Sequence, residues 1–223
     1  ERIASHVGGT AWVMSVQNGL GNTEILTNVF GEERVLAGTT SHGATLIEPG
    51  AVRHAGAGET TIGELGESNS ERVNEIAAAF SAAGIETGVS TNVKGALWRK
   101  LLINVGINPI TALLRIRNGE LMRRESARTL MRMAVYEAES VSRVAKVKLE
   151  IPSVFELVET VALKTGDNWS SMCQDVTAGR MTEIDFICGA IVREGERNNI
   201  PTPVNRTMRD LIRAMYESDP NSN

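Results

Sequence analysis

The sequence predicts two parts of different class, an α/β part over residues 1–90 and an all-α part over residues 91–223. Glycine is concentrated at the start, where 12 of the 21 glycines fall within the first 66 residues. The same stretch contains short apolar runs bounded by Gly or Pro, which is typical of strands. Beyond residue 91 the apolar residues recur with helical periodicity over long segments, and prolines separate these segments.

Strands and helices are predicted to alternate in the first part. Residues 11–16 suit a buried strand that ends in a turn, and residues 22–29 suit a short helix closed by Gly31. Further short strands are predicted over residues 34–40, 44–47, 51–55 and 60–62. A helix over residues 71–83 and a last strand over residues 85–89 complete this part.

The second part is predicted to be helical throughout. Its periodic segments are residues 93–114, 118–145, 153–165, 171–178, 183–198 and 205–216. Asn108 precedes Pro109, and the residue before a proline disfavours the α conformation. We therefore expect the first of these helices to kink or restart at this point.

The composition excludes several classes of protein. A chain of 223 residues with 42% hydrophobic and 22% charged residues is typical of a soluble globular protein. Its net charge of −4 does not favour nucleic acid or an anionic membrane as a partner, and no apolar stretch reaches the roughly 18 residues that a membrane span needs. Two cysteines make no disulfide framework, which predicts a cytoplasmic protein. The three histidines are scattered, so no metal site is expected.

A row of polar side chains interrupts the apolar segment 97–109. Lys100, Asn104 and Asn108 are each four residues apart, and a four-residue step in an α-helix turns about 40° past a full circle, so all three point to one side. Their neighbours are almost all Leu, Ile or Val, which leaves hardly any helix face for water. The row is therefore expected to face a cleft or a polar cavity, because burying a lysine without purpose is costly. There Lys100 can act as a general acid, and the alternative is a lysine that extends along the helix to solvent.

Two glycine-containing turns carry less information. Asn18 and Gly19 follow a buried strand, where an amide can touch a ligand or can simply belong to a turn. Gly19-x-Gly21 and Gly56-x-Gly58 both lack the third glycine of the dinucleotide-binding fingerprint G-x-G-x-x-G. Neither pair is therefore a phosphate-binding loop of that type.

Hydroxyl and carboxylate groups mark two predicted helix starts. Ser170 and Ser171 stand where free backbone N–H groups and hydroxyls can hold a carboxylate. Thr182 and Asp185 fit a capping box, which places Glu183 in the first turn of the next helix. Ordinary helix capping explains these residues as well as ligand binding does.

Taken together, seven segments resemble the ketopantoate reductase (2-dehydropantoate 2-reductase) family. They are QNGLGN (17–22), GTTSHGA (38–44), PGAVRHAG (49–56), LWRKLLINVGINPITAL (97–113), NGEL (118–121), NWSSMCQD (168–175) and TEIDFICG (182–189). The resemblance implies that residues 1–90 are the C-terminal part of a Rossmann-type NADP-binding domain. It also implies that residues 91–223 form a helical substrate-binding domain like that of 6-phosphogluconate dehydrogenase.

The resemblance implies hydride transfer from NADPH to the ketone of 2-dehydropantoate, giving pantoate for coenzyme A synthesis. Lys100 matches the catalytic lysine of the family, which protonates the reduced oxygen, and Glu183 matches an acidic residue close to both cofactor and substrate. The positions that match substrate-binding residues are Asn104, Asn108, Asn118, Asn168, Ser170 and Ser171, of which Ser171 is the foremost carboxylate ligand. The cofactor-binding positions are Asn18, Ala44 and Glu183.

The glycine-rich fingerprint of the family and its phosphate-binding basic residues match nothing in this chain and would lie upstream of residue 1. We therefore expect an N-terminally truncated member that binds NADPH poorly and is inactive by itself. Two alternatives remain open: a paralogous reductase of another branched 2-keto acid, and a non-catalytic helical module retained for binding or dimerisation. The long helices can pair in a homodimer, but a single core explains their apolar faces equally well.

Overall fold

The computed structural model describes residues 4–66 and 68–217. Two compact units are present. One contains the chain up to Gln17 together with Gly21–Leu97, and the other contains Asn18–Leu20 together with the chain from Trp98 onwards. The predicted domain boundary near residue 90 stays a prediction.

The strands of the first unit are β1 (Val13–Ser15), β2 (Val35–Thr40), β3 (Gly43–Glu48), β4 (Ala51–Gly56), β5 (Thr60–Glu64) and β6 (Thr87–Val89). They form a four-stranded sheet of order β1-β2-β5-β6 and a two-stranded hairpin, β3-β4. β1 and β2 are parallel, β2 and β5 antiparallel, and β5 and β6 parallel. Its helices are α1 (Asn22–Phe30) and α2 (Glu71–Ala82), with single 3-10 turns at Ala4–His6 and Glu32–Arg34.

The strands and α-helices of the first unit lie where the sequence predicts them, with ends that differ by at most two residues. The centre of the sheet explains why the apolar runs are continuous there. Val35, Leu36 and Ala37 of β2 and Ile62 of β5 are all 0% exposed, so these strands are covered on both faces. The 3-10 turns are three residues long and carry no periodic signal that could predict them.

A buried ion pair holds the end of β5 to the start of α2. Arg72 donates to the carboxylate of Glu64 from Nε at 2.8 Å and from Nη2. These hydrogen bonds lower the pKa of Glu64 below its ordinary value, although burial acts in the opposite direction. Ser70 also donates to Glu64 and caps α2 by accepting from the N–H of Val73 at 3.4 Å.

The second unit is built around helices and one large core. The remaining helices among the described residues are α3 (Val93–Leu114), α4 (Glu120–Arg123), α5 (Glu125–Val144), α6 (Val154–Lys164), α7 (Ser171–Thr177), α8 (Cys188–Arg197) and α9 (Pro203–Ala214). α3 lies in the core along most of its length, and Leu101, Leu102, Val105 and Ile110 are each 0% exposed. This burial confirms that the helix has hardly any face for water.

Three predictions about these helices are wrong in detail. α3 runs through Pro109 without a restart, because the packed core on both sides of the proline holds the backbone helical, and the other expectation, a kink, stays a prediction. Residues 118–145 are divided into α4 and α5 at Arg124, whose backbone is extended. Residues 183–187 form successive turns, and α-helix begins only at Cys188, because the backbone of Ile187 is not helical.

The start of α9 is held by a carboxylate from α5. Glu137 accepts hydrogen bonds from the backbone N–H groups of Val204 and Asn205 at 2.8 and 3.0 Å. The side chain of Asn205 donates to Glu137 and to the carbonyl of Ala134. Glu137 therefore replaces the side-chain cap that Thr202 does not provide, which a local sequence pattern cannot predict.

Three further features of the described residues concern membrane-spanning helices, metal-ligand clusters and disulfide bonds. None of the helices they form is long and apolar enough to cross a membrane, and no cluster of three or more potential metal ligands lies among them. Cys173 and Cys188 are unbonded and buried, and burial raises the pKa of both thiols. These two cysteines are packing residues in the core of the second unit.

We predict that Arg72→Leu lowers the free energy of unfolding by about 3 kcal/mol at neutral pH, because Glu64 keeps a buried charge without its cation. The pKa of Glu64 is lowered in the folded state, so the contribution of the pair is lost as pH falls through that pKa. Urea denaturation with hydrogen exchange of the β2 and β5 amides measures the change, and wild type and variant should converge in acid.

The matched control is Arg143→Leu, because Arg143 pairs with Glu139 at a side-chain exposure of 73%. Its effect should stay below about 1 kcal/mol. Equal losses in the two variants would contradict the role given to burial.

Candidate active site

The polar row of α3 keeps its helical register in the structure. Lys100 and Asn104 are partly buried, and Asn108 is 6% exposed. The side-chain nitrogen of Asn104 is buried and has no hydrogen-bond partner among the described residues. A buried amide without a partner in a native fold is uncommon and calls for an external acceptor.

Glu183 supplies the charge that acts on Lys100. Burial lowers the pKa of Lys100 below its ordinary value, and the negative charge of Glu183 opposes this change. The side-chain amide of Asn18 donates to Oε2 of Glu183 at 2.7 Å. The lysine, the carboxylate and the amide come from three distant parts of the sequence and form one polar cluster in the second unit.

The capping box predicted around Glu183 is wrong. Thr182 accepts only a long hydrogen bond, 3.4 Å, from the N–H of Ile184. The carboxylate of Asp185 is bound by Arg213 of α9 and does not reach back to the start of the turn. Glu183 thus lies in the turn 183–187 before α8 and outside any helix. The local pattern assigns the carboxylate of Asp185 to a helix cap, but in the folded chain it forms an ion pair with Arg213 instead.

The segment Asn18–Leu20 is fastened to this same turn. The N–H of Leu20 donates to the carbonyl of Phe186 at 2.9 Å, and Arg193 donates to the carbonyl of Leu20 at 3.4 Å. Gly19 has φ +85°, and a Cβ there would lie 2.1 Å from the carbonyl oxygen of Phe186. Only glycine fits this approach. The Asn-Gly signal in the sequence indicates the turn but cannot indicate what it packs against.

Ser170 and Ser171 play different parts at the start of α7. Ser170 is the N-cap, and its hydroxyl accepts from the N–H of Cys173 at 3.1 Å. The same hydroxyl lies 2.7 Å from that of Thr111, a residue of α3 that is not among the predicted site residues. The hydroxyl of Ser171 accepts a long hydrogen bond, 3.5 Å, from the side-chain amide of Asn108. Asn108 and Ser171, both predicted substrate ligands, are therefore brought together.

The remaining predicted residues are Asn118, Asn168 and Ala44, of which the first two are joined by a backbone hydrogen bond. The N–H of Asn118 donates to the carbonyl of Asn168 at 3.0 Å, and its side-chain amide donates to Thr165 at 2.9 Å. The side-chain oxygen of Asn118 is buried without a hydrogen-bond partner in the described structure, whereas Asn168 is exposed. Ala44 is exposed on β3 of the first unit, in register with His54. The binding roles of Asn118, Asn168 and Ala44 stay predictions.

The family model described as "Ketopantoate reductase PanE/ApbA C terminal" matches residues 92–217, which is more than half of the chain. The chain belongs to the ketopantoate reductase family. A second model of the family, "Ketopantoate reductase PanE/ApbA", matches residues 1–67.

Curated relatives carry the same family name. The 2-dehydropantoate 2-reductase of Halobacterium salinarum is 44% identical over 203 residues, which are 91% of this chain and 67% of that protein. The enzyme of the same name from Pyrococcus horikoshii is 36% identical over 91% of this chain and 66% of its own length. The chain thus spans about two thirds of the length of these curated relatives.

Solved structures share the fold of this ketopantoate reductase family member. A PanE/ApbA family ketopantoate reductase from Ralstonia eutropha JMP134 is 33% identical with a TM-score of 0.86, covering 96% of this chain and 70% of that one. D-mandelate dehydrogenase in complex with NADH and anilino(oxo)acetate is 27% identical with a TM-score of 0.88, over the same shares of the two chains.

The comparisons confirm three predictions. The family is the one that the sequence motifs resemble, and the fold class is a Rossmann-like α/β part with a helical C-terminal part. The enzyme class is also confirmed, because the homologues are named 2-dehydropantoate 2-reductases, which are oxidoreductases.

We predict that Gly19→Ala lowers the free energy of unfolding by about 1–3 kcal/mol, because the methyl group meets the carbonyl of Phe186 and the backbone must also leave its left-handed conformation. Urea denaturation of the chain measures the loss. Gly179→Ala is the matched control: Gly179 has φ +65° in the same unit, and its missing Cβ would meet nothing within 4 Å. Losses of the same size in both variants would show that the approach of Phe186 adds nothing.

Proposed function

We propose that this chain supplies the substrate-binding and proton-donating groups of an NADPH-dependent 2-dehydropantoate 2-reductase. The observation that carries the proposal is the partly buried Lys100, whose pKa is lowered by burial and which is kept within the field of Glu183. The name and 44% identity of the Halobacterium salinarum relative support the same reaction. In that reaction 2-dehydropantoate takes up a hydride and a proton and becomes pantoate.

Lys100 serves as the proton donor. When a hydride adds to the carbonyl carbon, the π-electron pair of the C=O bond moves to the oxygen, which must then be protonated. An ammonium group whose pKa lies below its ordinary value gives up its proton more readily. The charge of Glu183 counteracts the desolvation and so favours the protonated form of Lys100, which is the form that donates.

A count of hydroxyl protons favours Ser171 as the ligand of the substrate carboxylate. The hydroxyl of Thr111 lies 2.8 and 3.1 Å from the carbonyl oxygens of Ile107 and Asn108, which can only accept. The proton between Thr111 and Ser170 therefore comes from Ser170, whose hydroxyl has no other proton to give. Ser171 accepts from Asn108, and among the described residues no acceptor takes its own proton. Ser171 is thus the hydroxyl that can donate to a carboxylate.

Two amide atoms suit the other polar groups of the substrate. The buried nitrogen of Asn104 is a donor, and the buried side-chain oxygen of Asn118 is an acceptor; neither has a hydrogen-bond partner in the described part of the chain. The substrate has a ketone, which accepts, and a hydroxyl, which donates. Binding of the keto acid would therefore satisfy groups that are otherwise buried at a cost.

The family and the NADH-bound neighbour support a nicotinamide cofactor, and NADPH is the form we propose. Bound in the complete site, it supplies the hydride. Asn18 and Glu183 provide an amide and a carboxylate, and neither of them is a cation. This pair fits the hydroxyl groups of a dinucleotide and does not fit its phosphates, which a carboxylate would repel. Ala44 lies in the first unit, and its contact with the cofactor stays a prediction.

A second candidate is a reductase of an aromatic 2-keto acid, favoured by the TM-score of 0.88 to D-mandelate dehydrogenase. Lys100 and Ser171 recognise the keto and carboxyl groups that both substrates share. The ratio of kcat/KM for 2-dehydropantoate and benzoylformate, each with NADPH and with NADH, separates the candidates. A preference for benzoylformate would contradict the proposed substrate.

We predict that Lys100→Met in the full-length gene product lowers kcat with 2-dehydropantoate by about 10²- to 10⁴-fold, because no group replaces the proton donor. The same variant should unfold at a higher temperature near neutral pH. The pKa of Lys100 is lowered in the folded state, so its buried charge costs stability until the pH rises through that pKa. Initial rates of NADPH oxidation and thermal unfolding measure the two effects.

Lys94→Met is the matched control, since Lys94 is an exposed lysine of the same helix. Its rate and unfolding temperature should equal those of the wild type. A Lys100→Met enzyme that keeps its rate would contradict the proposed acid. A wild-type protein that does not reduce 2-keto acids at all would favour the non-catalytic module.

We predict that Glu183→Gln moves the basic limb of the pH profile of kcat/KM to lower pH. Glu183 raises the pKa of Lys100, so its neutral amide lets desolvation lower that pKa further. Asp185→Asn is the control, because this carboxylate is two residues away and paired with Arg213. A limb that stays in place or moves upward in Glu183→Gln would contradict the coupling between Glu183 and Lys100.

A further inference from the structure

A pair of buried hydroxyls joins α3 to α7 behind the candidate active site. Thr111 is 0% exposed and Ser170 5% exposed, and their hydroxyl oxygens lie 2.7 Å apart. Neither side chain is left with a proton that it could donate to a ligand. The pair therefore acts on the structure and not on a ligand, because a fully hydrogen-bonded buried polar pair fixes the relative position of the elements that carry it.

We propose that Thr111 is a positioning residue for the 2-keto acid: through Ser170 it sets the place of the carboxylate-binding hydroxyl of Ser171. The inference rests on the proposed function. Thr111 lies three residues after Asn108 on α3, and Ser170 lies one residue before Ser171 on the chain. Two parallel connections therefore run between the same two helices, Thr111 to Ser170 and Asn108 to Ser171.

The two connections differ in strength. At 2.7 Å the link between Thr111 and Ser170 is an ordinary, well-formed hydroxyl hydrogen bond in a buried place. At 3.5 Å the link between Asn108 and Ser171 is at the limit of a hydrogen bond, and Ser171 is exposed. Ser171 is thus held weakly by its own contact. Its position relative to α3 depends on its neighbour Ser170, from which its Cα is only about 3.8 Å away.

The hydroxyl of Ser170 also caps the N-terminus of α7. It accepts from the N–H of Cys173 at 3.1 Å while it donates to Thr111. Rotation of this side chain toward another acceptor would therefore break the cap and change the first turn of α7. Removing the acceptor on Thr111 favours such a rotation, because it leaves a buried O–H without a partner. The expected consequence is a displaced Ser171 with the core around it still filled.

Thr111→Val tests the proposal in the full-length gene product, because valine keeps the shape of threonine and removes the hydroxyl. We expect the KM for 2-dehydropantoate to rise about tenfold or more, since loss of one positioned donor to a carboxylate has about this effect. The KM for NADPH should stay within about twofold, because Thr111 acts only on the keto-acid ligand. Thr111→Ser restores the hydroxyl and should restore the KM for the keto acid.

Thr177→Val is the matched control on α7. Its hydroxyl donates to the carbonyl of Cys173 at 2.7 Å within the helix and makes no link to α3. The variant should leave both KM values unchanged. A lower melting temperature in Thr111→Val together with an unchanged KM for the keto acid would overturn the proposal, because a merely structural role predicts that result.

Ser170→Gly removes the same link from the other helix and keeps an accepted N-cap residue, so it provides a test if Thr111→Val does not fold. It should raise the KM for the keto acid by the same factor. The double variant should be no worse than either single one. Additive losses would show that Ser170 contacts the substrate independently and would overturn the proposed relay. The Lys100→Met experiment tests the proposed function itself, so failure of one idea can be told from failure of the other.

Discussion

The burial of α3 is the constraint on which the rest of the second unit depends. A helix that packs into the core along most of its length leaves little surface for polar side chains, yet this one carries a lysine and two asparagines on one side where each is partly or fully buried. Such groups are tolerated only when other elements bring partners or when a ligand does. The turn 183–187 brings Glu183, and the start of α7 brings Ser171. The residues of the candidate site are therefore the partners that the buried polar side chains of α3 require.

This constraint also explains why strained or irregular backbone positions occur near the row of Lys100, Asn104 and Asn108. Gly19 approaches the carbonyl of Phe186 so closely that no side chain fits, and the approach places Asn18 against Glu183. Pro109 removes one backbone N–H in the middle of α3, two residues before the hydroxyl of Thr111 bonds to the carbonyls of the preceding turn. Both backbone features lower the stability locally. Both occur where the structure must fix the position of a polar side chain.

Much of this organisation can be predicted from local patterns. The observed bounds of α3 are the predicted ones, residues 93–114, and Ser153 and Ser170 are recognisable as N-caps because capping depends on residues a few positions apart. The Lys-Asn-Asn row is visible because a step of four residues is a property of the helix itself. The division at Arg124 is not visible, because the residues on both sides of it are good helix formers.

The sequence by itself determined the order of the elements, the family, and the chemistry of the lysine and amide row. Only the tertiary structure decided which groups meet. Thr111 and Ser170 are 59 residues apart in the chain, and Asn18 and Glu183 are 165 apart. Asp185 has the spacing of a cap, yet it bonds to Arg213, which arrives from another helix. The physical reason is that periodicity and capping arise from neighbours along the chain, whereas contacts across the core depend on how whole helices pack.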